Sequence, residues 1–347
     1  MIPRLRVLVA VVALVVAAAL TSAADGAARR SRIASRLPDR EFWQLVVDAS
    51  EPDGYFRSDN LTSNELGYQR VIPDLLSRAE AGGVYLGVGP EQNFTYMAAL
   101  RPSLAVIFDV RRGNLLVQLM YKAIFELSRD RAELVSMLFA RPRPPGLTAQ
   151  STAQDLFGAF SNAPAEEGLL KQASAAIEAR LVKTHALPLS TEDIEGIRRI
   201  HRTFFIRGFA VRSQPTYAEL MTQTDNAGAS RSFLASEANF AVMKDLEARN
   251  LVVPVVGDFA GPKAIRTIGA YLKAHGATVS AFYLSNVEQY LDQDGKWSMF
   301  CRNVAALPLD PMSTFIRSSS GRGIGFGIGF VSSLGAMAAE TKNCGAF

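Results

Sequence analysis

Residues 84–109 restrict the fold more than any other stretch. Val84-Tyr85-Leu86-Gly87-Val88-Gly89 is an apolar run that ends on glycines. Asn93 to Leu100 has the length of a short helix, stopped at Arg101-Pro102, and Leu104-Ala105-Val106-Ile107-Phe108-Asp109 is a second apolar run. Short, continuous apolar runs between turn signals are strands buried on both faces, as in parallel sheets covered by helices. The spacing therefore predicts strand, tight turn, helix and strand, the opening unit of a doubly wound α/β domain.

The turn carries chemistry as well as architecture. Glycine permits positive φ and lets a ligand approach the backbone, which makes Gly87 and Gly89 candidate contacts. The helix that follows offers free N–H groups. Asp109 lies twenty residues past Gly89, at the end of the second run, where an acid accepts hydrogen bonds from a ribose diol. The pattern predicts a nucleotide-like ligand. The alternative is a plain tight turn with a solvated Asp109. Pro90-Glu91-Gln92-Asn93 stands where a dinucleotide fingerprint has its third glycine. An acid at Glu91 disfavours a pyrophosphate and suits a cationic or zwitterionic ligand such as S-adenosylmethionine.

The rest of the chain continues the rhythm. Helices are expected from Asp39 to Ser50, from the Asp59–Glu65 segment to Ala81, and as one long helix from Asn114 to Phe139. Arg141-Pro142-Arg143-Pro144-Pro145-Gly146 breaks the last of these. Residues 147–250 read as mostly helical, with capping-box spacing at Ser190-Thr191-Glu192-Asp193. Strands return at Leu251–Phe259 and Val279–Leu284, separated by a helix from Gly261 to His275. A last strand or hairpin is expected at Trp297–Leu307. The expectation is an α/β, doubly wound, mainly parallel Rossmann-like sheet over residues 41–310, with a helical insertion at about 141–250. Residues 311–347 form a glycine-rich tail that reads as a loop or an edge strand.

Residues 1–24 pair Arg4 and Arg6 with an apolar run to Leu20 and a Thr21-Ser22-Ala23-Ala24 end. This is the pattern of a secretory signal, which places the domain in the periplasm or outside the cell. An uncleaved inner-membrane anchor is the alternative, because Val7 to Ala24 carries no charge. Either way the segment engages export machinery or the membrane. Residues 25–40 read as an Arg/Ala/Ser-rich linker. The formal charge of +4 falls to +2 without Arg4 and Arg6, and no basic stripe points to nucleic acid.

Cys301 and Cys344 are either a disulfide or two thiols. With no Cys-x-x-Cys and no His-Glu-x-x-His, no metal site is indicated. His185, His201 and His275 are expected at the surface or at helix ends.

Other candidates cluster around the predicted sheet edge. Asn60, Asn64 and Glu65 precede the first strand and either contact the amino-acid end of a ligand or cap a helix. Asp258 and Asn286 follow later strands, where ligands of such sheets bind. Asp258 and Glu288 are the candidate catalytic groups, as general base or substrate contact, against the alternative of solvated loop acids. Arg111 and Arg112 are candidates for an anionic substrate group or simply a solvated face. Two glycosylation sequons, at Asn60 and Asn93, fall inside the proposed site and are discounted. A hydrolase has little support: there is no Gly-x-Ser-x-Gly, and Ser285 follows a strand without a marked His partner.

Val84 to Asp109 resembles motifs I and II of class I S-adenosylmethionine-dependent methyltransferases. Asp59-Asn60-Leu61-Thr62-Ser63-Asn64-Glu65, Tyr85 to Tyr96 and Asp109-Val110-Arg111-Arg112-Gly113-Asn114 more closely resemble an uncharacterised bacterial family with a methyltransferase-like fold. The resemblance runs from about residue 40 to residue 310. It implies a methyltransferase-like sheet, with Gly87 and Gly89 lining the methionine and ribose and Asp109 on the ribose hydroxyls. The usual motif I acid is replaced by Tyr85 and the usual third glycine by Glu91. The implied activity is methyl transfer from S-adenosylmethionine to an unknown substrate. The alternative is a non-enzymatic module of the cell envelope that binds a small molecule or a protein.

Overall fold

The computed structural model describes residues 32–322 and 328–344. The signal-or-anchor segment lies outside them. No described helix is long and apolar enough to cross a membrane.

Six strands form one sheet in the order β3-β2-β1-β4-β5-β6. They are β1 (Val84–Val88), β2 (Leu104–Asp109), β3 (Val252–Val256), β4 (Val279–Ser285), β5 (Thr314–Arg322) and β6 (Ile328–Ala336). The first five run parallel, and β6 turns back antiparallel on β5. The apolar runs of β1 to β4 are buried because helices cover both faces. Pro254 sits inside β3, a position tolerated because β3 is an edge strand and one ladder is absent. This is the expected doubly wound, Rossmann-like α/β fold.

The helical insertion lies between β2 and β3. Its helices run from Ala153–Ser161 to Glu237–Ala248. They are joined to the sheet by aromatic packing: Phe94 beside β1 meets Phe233 at 5.4 Å, and Phe139 meets Phe204 at 5.8 Å. One hydrophobic core therefore serves both sheet and insertion. The capping box at Ser190 forms as expected, with Asp193 at its third position.

Two local expectations are corrected. The long helix is two, Arg112–Leu127 and Arg131–Phe139. Asp130 starts the second by accepting from the Glu133 N–H, so the chain re-caps instead of continuing. Trp297–Ala305 is a helix, not a strand, because Phe300, Cys301 and Val304 repeat at helical spacing and are buried together. The glycine-rich tail supplies the β5–β6 hairpin at the sheet edge. Its interstrand residues 323–327 lie outside the described residues. Cys301 and Cys344 are disulfide-bonded, with Cα atoms 5.3 Å apart.

Candidate functional site

The strand order reverses between β1 and β4. A cavity of about 430 Å³ lies at the carboxyl ends of these strands, lined by Gly89, Asp109, Asp258, Tyr283, Ser285 and Asn286 among others. Such a switch point is where doubly wound sheets bind ligands.

The two turn glycines do different jobs. Gly89 has φ +76° and open space where a Cβ would sit, and it lines the cavity. Gly87 does not line it. A Cβ on Gly87 would lie 1.9 Å from Asn93 Oδ1, so this glycine makes room for Asn93. Asn93 is fully buried and buckles the turn. Its Nδ2 donates to Val88 O at 2.8 Å and Pro90 O at 2.7 Å, and its Oδ1 accepts from Tyr85 OH at 2.9 Å. Tyr85 is thus a strut beneath the turn.

Glu91 also turns away from the cavity. It accepts the Ser63 N–H at 3.1 and 3.2 Å. Burial pushes its carboxyl up to about 7, opposed by that backbone bond. Its role in the structure is to pin the 58–67 loop onto the helix Gln92–Leu100. The electrostatic case against a pyrophosphate therefore shifts to other acids.

Those acids are on the cavity wall: Glu51, Glu65, Asp109, Asp258 and Asp294, against the two cations Arg111 and Lys296. Asp109 is not free. Arg111 grips both its oxygens, Nε to Oδ1 at 3.0 Å and Nη2 to Oδ2 at 2.9 Å, and donates its own N–H to Oδ1. Arg111 Nη1 also donates to Ser58 O at 2.7 Å. Arg112 instead pairs with Asp193 outside the cavity. Asp258 accepts from the Ala260 N–H at 2.9 Å and lies 3.5 Å from Lys296 Nζ. Glu288 does not line the cavity, because Arg317 holds its carboxylate.

The 58–67 loop brings Asn60, Asn64 and Glu65 to the wall. Asn60 takes φ +43°, and its Oδ1 accepts from Ser58 Oγ at 2.6 Å. Glu65 is 1% exposed and accepts from Gln92 Nε2 at 2.9 Å and from the hydroxyls of Ser285 and Ser318. Aromatic rings line the cavity as well. Phe56 packs edge-on to Tyr290 at 5.3 Å, and Tyr55 stands 88% exposed at the mouth.

Several lining residues had no signal in the sequence. Glu51 accepts the N–H groups of Asp258, Lys263 and Ala264 at 2.9 to 3.0 Å, so it caps the next helix from 207 to 213 residues away. Tyr55, Tyr290 and Lys296 belong to segments with no recognisable pattern. His185 and His275 stand at helix ends as expected, His185 between Asp39 and Glu126, each 2.7 Å away; the expectation is corrected for His201, which is buried inside a helix on Met137 O at 2.9 Å. Burial against a backbone partner overrides the surface preference of the residue type. Among the described residues no three metal-ligating side chains converge.

Residues 61–334 match the family described as a domain of unknown function, DUF7790, and the chain belongs to that family. No curated protein matches the chain.

Proposed function

We propose that this member of the family binds S-adenosylmethionine at the carboxyl edge of its sheet and transfers the methyl group to a second small molecule. One observation carries this reading. Gly89, left-handed and open above its Cα, faces the same cavity as Asp109, at the point where the strand order reverses. A nucleoside needs both features: backbone without a Cβ to lie against, and an acid for its ribose. The excess of carboxylates on the wall suits a ligand with a sulfonium and an ammonium, and opposes phosphates.

Methyl transfer asks mainly for alignment of nucleophile and methyl group, with at most one base. Asp258 is the wall acid suited to take that proton, because Arg317 holds Glu288 elsewhere. Calorimetry with S-adenosylmethionine tests the reading. Binding that is lost in Asp109→Ala supports it, and absence of heat up to millimolar cofactor overturns it.

A second reading is a binding module of the cell envelope without catalysis. The Cys301–Cys344 disulfide favours it, since disulfides persist in oxidising compartments. A methyl donor made in the cytoplasm is not expected there. The Arg111 grip on Asp109 favours it too, because a ribose must share that acid or displace the guanidinium. Fusion of the full chain to a compartment-dependent reporter separates the two. An internal domain supports methyl transfer; an external one supports the module.

A further inference from the structure

We propose that Ser285 is a nucleophile whose proton passes to Glu65, and that this end of the cavity cleaves a small ester. Ser285 closes β4 with φ +51°, a left-handed conformation that strains a non-glycine residue. The β4–β5 pairing is irregular at the same place, stepping from Tyr283↔Ile316 to Ser285↔Arg317. Bulges of this kind re-aim a side chain beside a site. Here the side chain reaches the cavity, and its Oγ donates to Glu65 Oε1.

Glu65 has the environment of a base and not of a structural ion pair. It is 1% exposed, yet its partners are all neutral: Gln92, Ser285 and Ser318. No cation holds its carboxylate, and the hydrogen bonds it accepts aim one oxygen at the Ser285 hydroxyl. Gln92 Nε2 and Ser318 Oγ hold its other oxygen and leave Oε1 on the serine. Nucleophile, base and orienting groups are thus in hydrogen-bonded order.

The chemistry balances with water alone. Ser285 Oγ bonds to the ester carbonyl carbon while its proton passes to Glu65. The bond to the alkoxy group breaks, and the departing alcohol takes that proton. Water then cleaves the acyl-serine, releasing the acid and restoring Ser285. A cavity of about 430 Å³ limits the substrate to a small molecule, and its acidic wall favours neutral or cationic esters over anionic ones.

This inference does not rest on the cofactor reading, which calorimetry decides separately. The full chain is treated with excess alkyl fluorophosphonate, which bonds to an activated serine oxygen with loss of fluoride. Peptide mass spectrometry should find the adduct on Ser285, absent in Ser285→Ala and formed roughly a hundredfold more slowly in Glu65→Gln. If circular dichroism shows Glu65→Gln unfolded, Glu65→Asp replaces it. Shortening the base by one methylene should slow labelling by the same order. No adduct on Ser285, or undiminished labelling in the Glu65 variant, overturns the proposal.

Discussion

Arg111 closes a two-point grip on Asp109, two residues away, on the wall of the cavity. Both side chains are about nine-tenths buried, so neither charge is well solvated without the other. Replacing Arg111 with Met should destabilise the fold by roughly 3 kcal/mol, because a buried carboxylate loses its cation. Urea unfolding measures this. If Asp109 receives a ribose, the same variant should bind S-adenosylmethionine several-fold more tightly by calorimetry, since the acid is released.

His185 should make stability depend on pH. Its hydrogen bond to Glu126, and a second to Asp39, hold its proton affinity above the usual 6.5 against the effect of burial. A group whose folded value is raised stabilises fully below the unfolded value and loses that effect as pH rises through the folded one. His185→Gln should therefore cost about 2 kcal/mol below pH 6.5. The gap to the wild type should shrink as pH rises above it. Chemical unfolding of both proteins at several pH values reads this directly. A gap that widens with pH contradicts the assignment.

The two turn glycines should separate by variant. Gly87→Ala places a Cβ 1.9 Å from Asn93 Oδ1 and must evict the buckle. Its cost should be roughly 3 kcal/mol, the sum of overpacking and lost hydrogen bonds. Gly89→Ala meets nothing within 4 Å and carries only the strain of φ +76°, roughly 1 kcal/mol. Ligand binding should show the reverse order of sensitivity: among folded protein, Gly89→Ala loses affinity, because its new methyl group enters the cavity.

The Cys301–Cys344 bond spans 43 residues and encloses the β5–β6 hairpin. Closing a loop of that length in the unfolded chain contributes roughly 4 kcal/mol. Thermal unfolding with and without a reductant should show a loss of that order. Because β5 carries Ser318 to Glu65, the reduced protein should also label more slowly with the fluorophosphonate.

Much of the fold was legible because burial on two faces leaves a direct mark. The apolar runs that became β1, β2, β3 and β4 read as strands without any partner in view. Trp297–Ala305 is ambiguous in sequence since nine residues of mixed polarity are too few to fix a period, and its packing on Phe259 and Phe282 selects the helix. The β5 strand was hidden for the opposite reason. Ser318 and Ser319 are too polar to announce burial, yet Ser318 is buried on Glu65.

The glycine turn and the acid twenty residues later were set by the chain itself, because backbone freedom and strand length are local properties. Which atoms face the cavity was decided only by the tertiary structure. Asn93 claims the space over Gly87, Ser63 draws Glu91 inward, and Arg317 removes Glu288. Glu65 meets Ser285 across 220 residues of sequence. A side chain's direction depends on which donor or acceptor it finds when buried, and those partners come from segments that only folding brings together.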